Sequence, residues 1–171
     1  MLAITLPMTI VRNLEKTYHV SQIAQHQLRT AVGLFLSGVD YASVITLAGA
    51  SGEILSGILL KKGKQPFSET ARHVYHSIHG EMPRKKSYKH KIHKSFGISH
   101  LKHMGKGDED FIEIDLEDCA LKSLIASMGD YVKLNGCQEQ FVIKFYNWIW
   151  TNYDGPEIMA QYEQLKSVLK Q

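Results

Sequence analysis

Apolar positions along this chain recur mostly at three- and four-residue spacing, so the pattern reads as one helix after another. In residues 20–36, Val20, Ile23, Ala24, Leu28, Ala31, Val32 and Phe35 fall on one side of a 3.6-residue helix. Gly38 is placed to end that helix. Asp40 is placed to cap the next by accepting a hydrogen bond from an otherwise unpaired backbone N–H, which predicts a helical hairpin across a very short turn. Residues 41–60 are apolar almost all round, which calls for neighbours on several sides and marks this as the core helix. Within it Ala48, Gly52 and Ser56 lie four residues apart, a face small enough for another helix backbone to come close.

The later pattern is more broken. Residues 67–78 bring Ala71, Val74, Tyr75 and Ile78 to one side of a shorter helix, and Pro83 ends that region. Residues 84–104 read as helix, followed by a polar loop with Gly105, Gly107 and the acidic run Asp108, Glu109, Asp110. Residues 111–115 alternate and predict a short extended segment. Leu116, Ala120, Leu124, Met128 and Tyr131 mark a helix over 116–134, with Asp115 as its cap and Gly136 near its end. Residues 141–150 form an aromatic-rich helix, and a last one over 156–169 opens on Pro156, where a missing N–H costs nothing. The prediction is an all-α helical bundle of about five to seven helices around a central apolar hairpin, in a single domain over 1–171, with 1–15 as an extended N-terminal arm.

Composition narrows the class. A chain of 171 residues with 44% apolar and 22% charged residues can bury a core without disulfides or metal staples. Cys119 and Cys137 are the only cysteines, too few for a disulfide scaffold and in keeping with a reducing, cytoplasmic setting. Residues 1–11 are apolar but lack a basic start and contain Pro7, a poor signal peptide. Residues 41–60 have the length of a membrane span, yet Glu53, Thr46, three serines and three glycines favour a buried helix and no membrane.

The net charge of +3 says little, but its distribution is uneven. Between 84 and 106, Arg84, Lys85, Lys86, Lys89, Lys91, Lys94, Lys102 and Lys106 occur without one Asp or Glu. Such a stripe can neutralise phosphates and would bind RNA or DNA in a salt-dependent way, with charge reversal at Lys85, Lys86 and Lys89 abolishing the binding of RNA. Tyr88 and Phe96 are the aromatic residues that can stack on bases, and two are too few for a stacking platform. The bland alternative is a solvated surface facing the acidic segment 108–118.

Glu53 is the one ionisable residue between Tyr41 and Leu60, so a buried carboxylate there must meet a cation, hydrogen bonds, a metal or a proton. His100 and His103 share a helical face with Lys102 beside them, and His73, His76 and His79 repeat that spacing. Glu53 with His100 and His103 makes a candidate divalent-metal set, and Glu53, Lys102 and His103 a candidate catalytic set. No Walker loop, dinucleotide fingerprint, nucleophile elbow or Cys-x-x-Cys pair is present, which leaves nucleotide binding and serine hydrolysis without support.

Two stretches carry a family likeness. Leu34-Phe35-Leu36-Ser37-Gly38 followed by residues 43–55, and His100-Leu101-Lys102-His103-Met104 followed by residues 111–134, resemble an uncharacterised family of bacterial all-α proteins. That family is similar to the HEPN class of helical bundles, and the resemblance covers about half the chain. It implies a homodimer that binds RNA or a protein partner. In HEPN nucleases an Arg is followed by four to six residues and then a His, the Arg holding the phosphate and the His acting on the ribose hydroxyl or leaving oxygen. Aligning His103 with that His puts Ile98 at the Arg and Ser99 where Asn is usual, so the resemblance implies the fold and a module without nuclease activity. The pairs Arg12 to His19, Arg72 to His79 and Arg84 to His90 meet the spacing by chance in a chain with nine histidines. An apolar excess at Leu34, Phe35 and Leu36 adds to the homodimer expectation. The competing class is an enzyme, either a metal-independent RNase or a metal-assisted hydrolase, and a third reading is an interaction protein with no chemistry of its own.

Overall fold

Helical periodicity is realised along nearly the whole chain described by the structure, a computed structural model that covers residues 16–102 and 111–153. Among those residues there are seven helices and no strand: α1 Val20–Ser37, α2 Tyr41–Lys61, α3 Phe67–His79, α4 Lys85–Ser95, α5 Ile98–Lys102, α6 Leu116–Asn135 and α7 Gln140–Asn152. The expected arm 1–15 and the expected helix 156–169 lie outside the described residues.

The hairpin forms as its end signals dictate. Gly38 adopts φ +66° at the end of α1, and the Asp40 side chain accepts the Ser43 N–H at 3.0 Å at the start of α2. Asp115 caps α6 in the same way through the Asp118 N–H at 3.0 Å. Leu28, Val32 and Phe35 of α1, Ile45 and Leu55 of α2, Leu124 and Met128 of α6 and Phe145 of α7 make one continuous core. Its chief contacts run from α2 to α1 on one side and to α6 on the other.

The small-residue face of α2 is where α6 comes close. A methyl group on Gly52 would lie 2.7 Å from the Ser127 Oγ, and that hydroxyl donates to the Ala48 carbonyl oxygen at 2.7 Å. On the other side Ser51 Oγ donates to the Ala24 carbonyl oxygen at 2.9 Å, so two buried hydroxyls tie α2 to its neighbours.

The core helix has neighbours on several sides, chiefly α1, α6 and α5, although only 39% of its most apolar window is buried, with Leu47, Ile54 and Ile58 half-buried and Leu60 exposed. Two expectations need correction. The helix expected over 84–104 breaks at Phe96–Gly97. There Gly97 takes φ +73°, and a side chain would strike Ile114 at 2.7 Å, so only glycine lets the turn pass beneath residues 111–115. Those residues are a short non-helical segment, extended at Asp115, that pairs with no other segment among the described residues; Phe111 is exposed and only Ile114 reaches the core. Lastly, Leu34, Phe35 and Leu36 do not form an outer patch, because Phe35 lies in the core with both leucines packed against it. Cys119 is buried and Cys137 exposed, and both are free thiols.

Candidate functional site

Helix α4 carries five lysines, two histidines and no acid, and none of its residues is buried. A helix this polar cannot be held by apolar packing, so side-chain anchors hold it. Tyr88 donates its hydroxyl to the Ala71 carbonyl oxygen of α3 at 3.1 Å. Lys85 reaches Glu69 of α3 at 3.4 Å, and Arg72 meets the same carboxylate at 3.0 Å. Burial pushes the Glu69 carboxyl up, but the hydrogen bonds and charges of Arg72 and Lys85 outweigh it and the pKa falls below the ordinary value.

The third anchor is the Glu53 carboxylate of α2. Lys89 Nζ lies 2.7 Å from one oxygen and His93 Nε2 3.1 Å from the other. The expected enclosed acid is therefore corrected: Glu53 sits on the outward face of α2 with 42% of its side chain exposed, and α4 brings two bases to it. The hydrogen bond from His93, aided by Lys89 and partly opposed by burial, lowers the Glu53 pKa to about 2. Lys89 and His93 stand four residues apart on one face of α4, which is why a single carboxylate takes both.

Beneath that ion pair runs a narrow cleft between α2, α3, α4 and α6, whose lining includes Glu53, Ser56, His93, Ser127 and Asp130. Its cavity volume is about 50 Å³. That is well short of the several hundred Å³ of a typical small-molecule site. Its inner wall holds the acid that the sequence reading passed over. Asp130 is 2% exposed; it accepts the Phe67 N–H at 2.6 Å and the Ser56 hydroxyl at 2.9 Å, with Lys133 Nζ 3.9 Å away. It thus caps the start of α3 from another helix. Burial raises its pKa, against the opposing hydrogen bonds from Phe67 and Ser56 and the charge of Lys133. A signal was present: Ser123, Ser127 and Asp130 repeat at four and three residues, a polar stripe beside the apolar one on α6.

The nominated site residues are described only in part. Glu53 joins Lys89 and His93; His100 is exposed on α5; the Lys102 side chain and His103 lie outside what is described. Among the described residues no three His, Cys, Asp or Glu side chains gather as a metal-binding set. Of the six nominated phosphate binders, Lys85 and Lys89 point inward to carboxylates. Arg84, Lys86, Lys91 and Lys94 are exposed, and no carboxylate among the described residues pairs with them. Comparison with family models, curated proteins and solved structures finds no match.

Proposed function

We propose that this chain is a HEPN-like helical module without nuclease activity that binds single-stranded RNA through the outward face of α4. The observation that carries the reading is the division of the α4 cations. The inward pair is neutralised by Glu53 and Glu69, while Arg84, Lys86, Lys91 and Lys94 face solvent on a helix with no acid of its own. Lys86, His90 and Lys94 follow one another at four-residue steps, about 6 Å of helix rise each. They form a row along which a phosphate chain can lie.

The lack of nuclease activity is supported by the surroundings of Ile98. This residue, at the position of the catalytic Arg in the HEPN pattern, is 6% exposed and packs against Gly49, where a methyl group would already meet it at 3.2 Å. An Arg there would have to bury its charge against α2.

The test is a salt titration of RNA binding to the whole chain. With four outward cations each releasing roughly 0.7 of a counterion per phosphate on a single strand, log affinity should fall against log salt with a slope of about −3. The K86E/K94E double reversal should weaken binding by about tenfold or more at low salt and flatten that slope. Absence of RNA affinity at low salt would overturn the reading and leave an acidic protein as the occupant of the stripe.

A further inference from the structure

Tyr88 and Phe96 are the aromatic residues the sequence offers to a bound base, and the fold uses both for itself. Tyr88 is half-buried with its hydroxyl on the Ala71 carbonyl, and Phe96 is half-buried with its ring 6.4 Å from that of Phe67. Two other rings come to the edge of the α4 stripe. Tyr75 and His79 lie one turn apart on α3, with ring centroids 4.2 Å apart and planes tilted by 41°. Tyr88 backs Tyr75 at 5.5 Å, and Lys91 Nζ of α4 stands 5.1 Å from the Tyr75 ring centre. His79 is exposed in the last turn of α3, and Ile78 and Met82 are exposed at the same end.

We propose that His79, steadied by Tyr75, is a base-stacking subsite, and that Lys91 takes the phosphate beside the stacked base. This rests on the RNA reading of α4 and adds what the strand must offer. Phosphates supply affinity to single and double strands alike, whereas a flat side chain at the edge of a cationic row gains contact only with a base whose face is free. A duplex keeps those faces inside its own stack. The cation held over Tyr75 places positive charge within one side chain's reach of the stacked ring, so one nucleotide can satisfy both groups. Ring stacking discriminates weakly among bases, and the expected selectivity is for strandedness rather than for sequence.

The experiment measures fluorescence anisotropy of the full chain at low salt with a short oligoadenylate and with an RNA duplex of equal length. A fluorescent adenine analogue in the single strand reports stacking directly. The wild type should prefer the single strand by about tenfold, and H79A should remove most of that preference while leaving duplex affinity unchanged. H79W should restore both the preference and the quenching of the analogue. His79 is exposed, so these variants should keep the wild-type circular dichroism. Equal loss on both RNAs, or no change on either, would overturn the stacking subsite while leaving the RNA reading of α4 standing. No binding of either RNA by the wild type would overturn that reading too.

Discussion

Glu53 and Asp130 line one cleft from opposite helices and have opposite fates. Glu53 sits in the most apolar of the described helices yet stands half in solvent, where α4 supplies a lysine and a histidine and its pKa falls to about 2. Asp130 sits in a helix of ordinary composition yet is sealed between α2 and α3, meets mainly neutral donors and has a raised pKa. The apolar character of a segment does not tell which of its faces is covered. Burial is set by the neighbour that packs there, and here α6 packs on the small-residue face of α2 while Glu53, at the rim of the same cleft, reaches out to α4.

The sharpest way to break this comparison is to remove the buried partner. Asp130→Ala leaves the Phe67 N–H and the Ser56 hydroxyl unpaired in a closed space and should lower unfolding free energy by about 2–3 kcal/mol, read by urea denaturation. A loss no larger than that of an exposed substitution would mean that α3 does not depend on this cap. Next in size is the close approach itself. Gly52→Ala forces a methyl group onto Ser127 Oγ and should cost about 1–2 kcal/mol, and Ser127→Ala in the same chain should recover part of it. If the two substitutions act independently, the α2–α6 contact is looser than described.

Glu53→Gln should cost about 1 kcal/mol or less, because the ion pair is nearly half exposed and screened by solvent. Its signature is pH. The folded Glu53 pKa lies below the ordinary 4.5, so its stabilisation is present above that value and fades as pH falls toward about 2. Asp130 has the opposite sign: its raised pKa contributes stability at low pH that is lost as pH rises through the folded value. Thermal unfolding followed across the acid range should therefore show Glu53→Gln flattening the loss at low pH, and Asp130→Asn raising relative stability as pH increases. Identical pH profiles for the two variants would contradict the assignment of one acid to solvent and the other to the interior. The smallest expected effect is on RNA: Lys89→Ala should reduce affinity less than Lys86→Ala, since Lys89 already holds Glu53.

Much of the fold was legible because its signals are local. Helix periods, the Gly38 end, and the Asp40 and Asp115 caps are each written within a few residues of where they act. Those local signals were enough for an all-α bundle around a hairpin. The partners of Glu53 were half legible. Lys89 and His93 share a face of α4 by spacing alone, but nothing local says that this face meets α2, and His100 and His103 had the same claim on paper. Tyr88 and Phe96 were nominated as stacking residues because they are aromatic and near cations; the fold needed both inside and left His79 and Tyr75 at the edge.

What the sequence alone determined is most of the helices among the described residues, the hairpin turn, the small face of α2 and the run of charge without acid in α4. The tertiary structure decided which acid is buried, which lysines are neutralised and which remain outward. The division follows from range: backbone geometry and capping are settled by neighbours in sequence, whereas desolvation and ion pairing depend on which helix lies a few ångströms away, and that neighbour is chosen only when the whole bundle packs.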